Sequence, residues 1–476
     1  MDVDPVELAH WKAVAAKPFD EAPRWEYLKW LKLQSDKSHE ERAKLTELQL
    51  EGALSQPWDF LALEASNFRS WDQINWGPLK RLPGKWPWAW RAWQRGFPYS
   101  LEVFDVKQAI EGIPVLLETT PISSLVIRVE SLGLRADAEC HEVLKAHQDQ
   151  RDLVGRGTPE ATAVAERILS EHRLGKEDMP ARLAEWAKEY ADDLLRLTGA
   201  RWFSQIRDLA IAGDDITIGN VLQSSELQNV AQLRVRTYRV LTDDGADPFH
   251  SYDAMRVVVR HPRLKSLRSL WVDGDRRRLP EALMELPALT ELAELRVDGR
   301  LPQDVWSRIL WSTPNLRHLG ATGGDWAIPL MNWSGRSRLQ SLYLKAAHRS
   351  DLRLTFAQAQ LDALRSLTIQ TETLDGTTFE MLCAACDKLQ RLSLAGTDLD
   401  TEVIEELLQS HSFRHLLALD LTKCSISDDG LFRLAKASRM PKLRWVRAGQ
   451  QLVEGEGAAL NSLYKRFTEA APEAFE

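Results

Sequence analysis

The sequence has few cysteines, no long apolar run and no excess of positive charge. Among its 476 residues there are four cysteines, too few for a disulfide-stapled scaffold and typical of a reducing compartment. No stretch approaches the about 18 uninterrupted apolar residues that a membrane-spanning helix needs. Lysine and arginine number 61 against 69 acidic residues, so the net charge of −8 argues against bulk attraction to nucleic acid or anionic lipid.

The first residues, MDVDPVELAHWKAVAAK, contain early acidic side chains and no apolar core of the kind that a secretory signal peptide has. With the low cysteine content, this predicts a cytoplasmic protein that has no membrane partner. The only compact basic run is Arg276–Arg278. We therefore expect no nucleic-acid partner.

Motifs that carry catalysis or metal binding are also missing. The chain has no phosphate-binding loop, GxGxxG, GxSxG or HExxH. His141 and His147 are six residues apart and so fall on different helix faces, and Cys383 and Cys386 form a lone CxxC for which core packing is the simpler interpretation. The sequence thus predicts a non-enzyme with no catalytic residues, no metal ligands and no cofactor. The alternative is an enzyme or enzyme subunit with its site in residues 131–203 or near Cys383.

Leucine and tryptophan are abundant, and the leucines recur with a period. The chain has 71 Leu and 18 Trp. The pattern apolar-x-x-apolar-x-apolar occurs eleven times, and the copies begin at Ile122, Ile206, Val230, Leu267, Leu292, Leu316, Leu339, Leu364, Leu389, Leu416 and Leu443. From Leu267 onward the copies begin 23 to 27 residues apart. This period predicts a strand at each copy and a helical return between copies, which is the pattern of a solenoid.

The segment LLALDLTKCSISDDGLFRLAKASRMPKL, which begins at Leu416, resembles the helix-bearing, cysteine-containing class of leucine-rich repeats, the class of ribonuclease-inhibitor-like repeats. The resemblance covers roughly residues 206–453. It implies an α/β fold, a leucine-rich-repeat solenoid with a curved parallel sheet and helices on its convex side. It also implies that Cys424 packs beneath the strand. Segments such as TEVIEELLQS, with Thr401 placed to cap it, carry the apolar spacing of the return helices.

The rest of the chain predicts additions to this solenoid. We expect the solenoid at 114–453, with an inserted helical pair at about 131–203 and a smaller insertion, a loop followed by a helix, at about 242–262. Residues 56–113 hold a Trp-rich segment, which is interpreted as a cap on the first repeat, or alternatively as an aromatic surface for a partner. Residues 454–476 are expected to form a C-terminal capping helix.

Residues 1–55 are predicted to form a helical module. The stretch FDEAPRWEYLKWLKLQ followed by ERAKLTELQ resembles a short bacterial companion domain that precedes leucine-rich repeats in some proteins. Asp20, Pro23, Arg24, Tyr27 and Arg42 stand at matching places, whereas Leu28, Lys29 and Lys32 depart from the pattern. This resemblance implies no activity.

A protein partner is expected on the concave face of the sheet. Side chains between the apolar positions of a strand point to the opposite face, and Trp, Tyr and Arg are the residue types most enriched in binding hot spots. The predicted partner-binding residues are Arg234, Arg236, Trp271, Arg296, His318, Tyr343 and Lys345. The alternative is a solvated surface on which the arginines pair with Asp273, Glu294 and Asp298. The predicted function is therefore a protein-interaction module: an adaptor, sensor, inhibitor or regulated target.

Overall fold

The structure is a computed structural model that describes most of residues 4–50, 88–128, 192–237 and 254–449, with short gaps inside these ranges. The chain divides into two compact units. The first comprises Met1–Glu51 and Asn75–His261, and the second Gly52–Ile74 and Pro262–Glu476. The boundary between His261 and Pro262 falls inside the predicted solenoid, between the repeats that begin at Val230 and Leu267.

The first unit begins with two packed helices. The helices described in this unit are α1 (Pro5–Ala16), α2 (Ala22–Lys32), α3 (Val106–Leu117), α4 (192–198), α5 (Asp215–Leu222) and α6 (Ala254–Arg260). The Asp4 carboxylate accepts a hydrogen bond from the backbone N–H of Val6, and Pro5 takes the first helical position, so α1 starts where these signals predict.

A buried polar network joins α1 to α2 and to Arg42. The Tyr27 hydroxyl donates to Glu7 Oε1 at 3.0 Å, Arg42 Nη2 donates to the same oxygen at 2.6 Å, and Trp11 Nε1 donates to the Tyr27 hydroxyl at 3.1 Å. The Glu7 carboxylate is buried, and its charge is balanced by the Arg42 guanidinium. Tyr27 and Arg42, two of the residues that carry the N-terminal resemblance, therefore lie in the core of this module.

The strands described in the first unit are β1 (Trp88–Gln94), β2 (Phe97–Val103), β3 (Ser124–Arg128), β4 (Asp208–Gly213) and β5 (Gln232–Thr237). Strands β2 to β5 pair in parallel and in chain order, and β1 pairs antiparallel with β2 as a hairpin. The sequence did not predict this hairpin. The hairpin places β1, which belongs to the Trp-rich segment, beside β2 on the edge opposite β3. The capping role of that segment stays a prediction.

The second unit alternates strands with helices. Its described strands are β6 (Ser269–Asp273), β7 (Glu294–Asp298), β8 (His318–Thr322), β9 (Ser341–Lys345), β10 (Ser366–Gln370), β11 (Thr373–Leu374), β12 (Arg391–Ser393), β13 (Asp398–Leu399), β14 (Ala418–Thr422) and β15 (Trp445–Gly449). Its described helices are α7 (Arg278–Met284), α8 (Gln303–Ser312), α9 (Ala327–Asn332), α10 (Arg349–Ala357), α11 (Gly376–Ala385), α12 (Thr401–Gln409) and α13 (Asp428–Lys436).

Eight of these strands form one parallel arrangement in the order β6-β7-β8-β9-β10-β12-β14-β15, while β11 pairs with β13 apart from them. Register is kept from strand to strand, so that the central leucines Leu270, Leu295, Leu319, Leu342, Leu367, Leu392 and Leu419 stand side by side. All of them are buried. The eleven apolar hexads each coincide with a strand, so the α/β fold of a parallel sheet alternating with helices is confirmed, and it is compatible with a repeat solenoid.

Polar side chains beyond the strand ends link neighbouring repeats. Thr322 Oγ1 accepts a hydrogen bond from the backbone N–H of Gly299 at 2.7 Å, and Thr397 Oγ1 accepts from the N–H of Thr371 at 3.3 Å. The buried Cys424 thiol donates to the carbonyl of Leu394, one repeat earlier, at 3.0 Å. These bonds satisfy backbone groups that the turns would otherwise leave buried without a partner.

Polar side chains also link helices of neighbouring repeats. Asp375 caps α11 by accepting from the backbone N–H and the hydroxyl of Thr378, both at 2.8 Å, and it receives Arg353 Nη2 at 2.8 Å and Arg349 Nη1 at 3.3 Å from α10. Helix α12 begins at Thr401 as expected, but the N-cap position is Asp400, which makes no side-chain capping hydrogen bond, so the prediction that Thr401 caps this helix is wrong.

Several predicted segments lie outside the described residues. They are most of the helical pair at 131–203, the start of the 242–262 insertion, residues 56–87 of the Trp-rich segment and the expected helix at 454–476. Helices α4 and α6 occupy the described ends of the two insertions.

Replacing Asp375 by alanine should lower the free energy of unfolding by about 1–2 kcal/mol near neutral pH, because helix α11 loses its cap. Burial raises the pKa of Asp375, but hydrogen bonds from Thr378 and Arg353 outweigh it and leave the pKa below its usual value. A lowered folded-state pKa gives stability above the unfolded pKa that is lost as pH falls through the folded value.

The difference in free energy of unfolding between the wild type and Asp375→Ala, measured by urea denaturation, should therefore decrease below about pH 4. Asp362→Ala, at an exposed turn position, is the matched control and should unfold like the wild type. An equal loss of stability in Asp375→Ala and Asp362→Ala would contradict the capping role of Asp375. A difference in stability between the wild type and Asp375→Ala that grows in acid would contradict it as well.

Candidate functional site

One row of side chains crosses the sheet of the second unit on the face opposite the buried leucines. We call this face the open face. The strand register places Trp271 beside Arg296, Arg296 beside Gly320, and Gly320 beside Tyr343. The row continues through Thr368, Ser393 and Asp420. Four of its members come from four consecutive repeats, so residues about 25 positions apart in sequence become neighbours.

The guanidinium of Arg296 contacts two aromatic rings. Its guanidinium carbon Cζ is 4.3 Å from the centroid of the Trp271 ring and 4.1 Å from the centroid of the Tyr343 ring. Each contact is within the range of a cation–π interaction, which contributes about 0.5–2 kcal/mol depending on exposure. We call Trp271, Arg296 and Tyr343 the aromatic clamp.

The glycine on the intervening strand makes this contact possible. Tyr343 is two strands away from Arg296, and Gly320 lies between them. A Cβ atom at Gly320 would come within 2.7 Å of Arg296 Cγ and 3.2 Å of its Cδ. The arginine side chain therefore occupies the space that any other residue at 320 would fill.

Polar partners hold the clamp in one arrangement. Trp271 Nε1 donates to Asp298 Oδ2 at 2.7 Å, and Arg296 Nε donates to Asp298 Oδ2 at 3.0 Å and to Oδ1 at 3.2 Å. The Tyr343 hydroxyl donates to Gln370 Oε1 at 3.0 Å. The pairing of an arginine with Asp298 is one that the alternative interpretation of this surface also expects. The arginine remains partly accessible, with 32% of its side chain exposed.

Two titratable groups in and beside the aromatic clamp, Tyr343 and His318, are uncharged at neutral pH. Burial raises the pKa of Tyr343, and Arg296 opposes this shift, so the phenol is neutral at pH 7. Burial also lowers the pKa of His318, with Glu294 opposing and Arg317 adding to the shift, so His318 is mostly uncharged at pH 7. Lys345, on the same strand as Tyr343, is exposed.

The other two predicted site residues lie in the first unit. Arg234 and Arg236 occupy alternate positions of β5, and both are exposed. Burial raises the pKa of Asp208 on the neighbouring strand β4, while the Arg234 and Arg207 charges lower it. Of the seven predicted residues, the structure brings Trp271, Arg296 and Tyr343 into contact. The cluster also contains Asp298, Gly320 and Gln370. In the sequence these residues could have been identified by their positions, which fall on the open face of the same set of strands.

The cysteines that could carry chemistry are buried. Burial raises the pKa of the Cys383 thiol to about 12 and that of Cys424 to about 11, and it raises the pKa of Cys386 as well. All three are free thiols, protonated at neutral pH, and the thiolate is the nucleophilic form. In the described part of the chain there is no group of three or more His, Cys, Asp or Glu side chains suited to a metal ion. No described helix is both long and apolar enough to cross a bilayer.

A scan of the chain against known protein families finds no match. A search of curated proteins also finds none. The candidate site therefore rests on the geometry of the open face.

Replacing Gly320 by alanine should displace Arg296 from the Tyr343 ring, because the new methyl group would overlap Arg296 Cγ. The indole N–H resonance of Trp271 in a ¹H–¹⁵N spectrum, assigned with Trp271→Phe, should shift, since its ring and its acceptor Asp298 both contact Arg296. Ser366→Ala, on the same face but outside the clamp, is the control and should leave this resonance in place. An unchanged indole resonance in Gly320→Ala would refute the crossing of Arg296 over Gly320.

Proposed function

We propose that this chain is a non-enzymatic protein-interaction module that binds a protein partner through the open face of a leucine-rich-repeat solenoid. Its role would be that of an adaptor, sensor, inhibitor or regulated target. The observation that carries the proposal is the aromatic clamp, a preformed Trp–Arg–Tyr cluster on the half-exposed face of a regular sheet.

The composition and rigidity of the clamp support this role. Trp, Tyr and Arg carry most of the binding free energy in protein interfaces. A side chain already fixed by two ring contacts and a carboxylate has little rotamer freedom left to lose on binding, and that loss is one of the main costs of association. Arg296 is fixed in this way.

The assignment to leucine-rich repeats is supported by the hexads, by the parallel strands in register and by Cys424, which bonds back to Leu394 beneath the strand. In this proposal the open face corresponds to the concave face of such solenoids, and residues 1–55 correspond to the bacterial companion domain.

The test is partner binding measured with the purified chain. A partner captured from the source organism and then purified should bind the wild type in a defined ratio. Trp271→Ala should weaken that binding by about 30-fold or more, the effect of a hot-spot residue. Trp311→Ala is the matched control, because Trp311 is 71% exposed on helix α8, away from the strands, and should bind normally.

Circular dichroism would establish that both variants are folded. Equal affinities for Trp271→Ala and the wild type, or a loss confined to Trp311→Ala, would refute the proposed binding face.

A further inference from the structure

We propose that Arg296 anchors a carboxylate side chain, Asp or Glu, of the protein partner. The inference rests on the proposed function, and it adds the chemistry that the open face recognises. It follows from which edges of the guanidinium the clamp covers and which it leaves open.

Two aromatic rings contact the guanidinium. The centroid of the Trp271 ring is 4.3 Å from Cζ and that of the Tyr343 ring is 4.1 Å from it. The N–H donors of a guanidinium lie in its plane, so a carboxylate ligand approaches within that plane. In-plane approach is the geometry in which a carboxylate accepts two parallel N–H bonds from an arginine.

Among the described residues, one carboxylate pairs with the guanidinium, and it takes the Nε edge. Asp298 takes the Nε edge through both of its oxygens, at 3.0 and 3.2 Å. In the described part of the chain, this is the only ion pair that Arg296 makes, and it leaves the terminal Nη1/Nη2 edge without a carboxylate. The side chain is 32% exposed, so solvent has access to it.

The charges around Arg296 differ between its two sides. Asp273 of β6 stands beside Asp298 in the strand register, whereas Lys345 lies on β9, so an anion would arrive from the side of β9. The Arg296 side chain runs across Gly320, the residue between β7 and Tyr343 of β9. Lys345, two residues beyond Tyr343 on the same face, is exposed and makes no ion pair with a described residue. Glu294 lies at the opposite end of β7, beside His318. Because Asp298 already balances one positive charge, the site suits a single carboxylate better than a polyanion such as nucleic acid.

A random peptide library displayed on phage and selected on the full-length chain tests this inference. Selection on the wild type should enrich peptides with Asp or Glu at one fixed position. That preference should disappear on Arg296→Gln and survive, weakened, on Arg296→Lys, which keeps the charge but not the planar pair of donors. Arg336→Gln, at a half-buried arginine in a turn before β9, is the control and should select the same peptides as the wild type.

A double-mutant cycle on one enriched peptide then identifies the contact. Arg296→Gln in the protein and the acid-to-amide change in the peptide should each weaken binding by about tenfold to a hundredfold. The two changes together should weaken it little further, because they remove the same interaction. Losses that multiply independently would overturn the assignment.

The outcomes separate this inference from the proposed function. Peptides that bind through Trp271 but carry no fixed acid would overturn the carboxylate site and leave the binding face intact. Selection that yields no peptide would also overturn it, and the effect of Trp271→Ala on the captured partner would still decide the proposed function.

Discussion

Strand register between neighbouring repeats is the constraint on which the second unit depends. Each of the strands β6 to β15 has five residues or fewer and only one to three apolar side chains, so it cannot bury them alone. Parallel pairing in register sets leucine beside leucine on the buried face, from Leu270 to Leu419. The same pairing fixes the open face, because successive side chains of a strand alternate between the two faces.

The aromatic clamp is a product of that register. Trp271, Arg296 and Tyr343 belong to different repeats and meet only because every intervening strand keeps the same alignment. A shift of one residue in β8 would move Gly320 to the buried face and place Leu319 or Ala321 in the path of Arg296. Asp298 adds a constraint of its own, since one carboxylate orients both Trp271 and Arg296.

Much of the fold could be predicted because the apolar hexad has a direct physical meaning, a short strand buried on one face. The hairpin that begins with strand Trp88–Gln94 was not predicted, because this Trp-rich strand lacks the apolar spacing of the hexads. The cap of α12 was misplaced by one residue because Asp400 and Thr401 are both acceptable caps by type. The row Trp271, Arg296, Gly320, Tyr343 could be read from the sequence, but the contact across Gly320 depends on side-chain length and rotamer, which spacing alone does not encode.

The three buried thiols of the second unit can serve as probes of its local opening. Cys383 and Cys386 lie at the end of α11, in the repeat that begins at Leu364, and Cys424 follows β14, in the repeat that begins at Leu416. Their burial and raised pKa keep them unreactive while these repeats stay packed. Modification by a thiol reagent therefore requires a local opening, and its rate at each cysteine measures how often that repeat separates from its neighbours. These thiols are thus natural probes for whether the second unit opens from one end or as a whole.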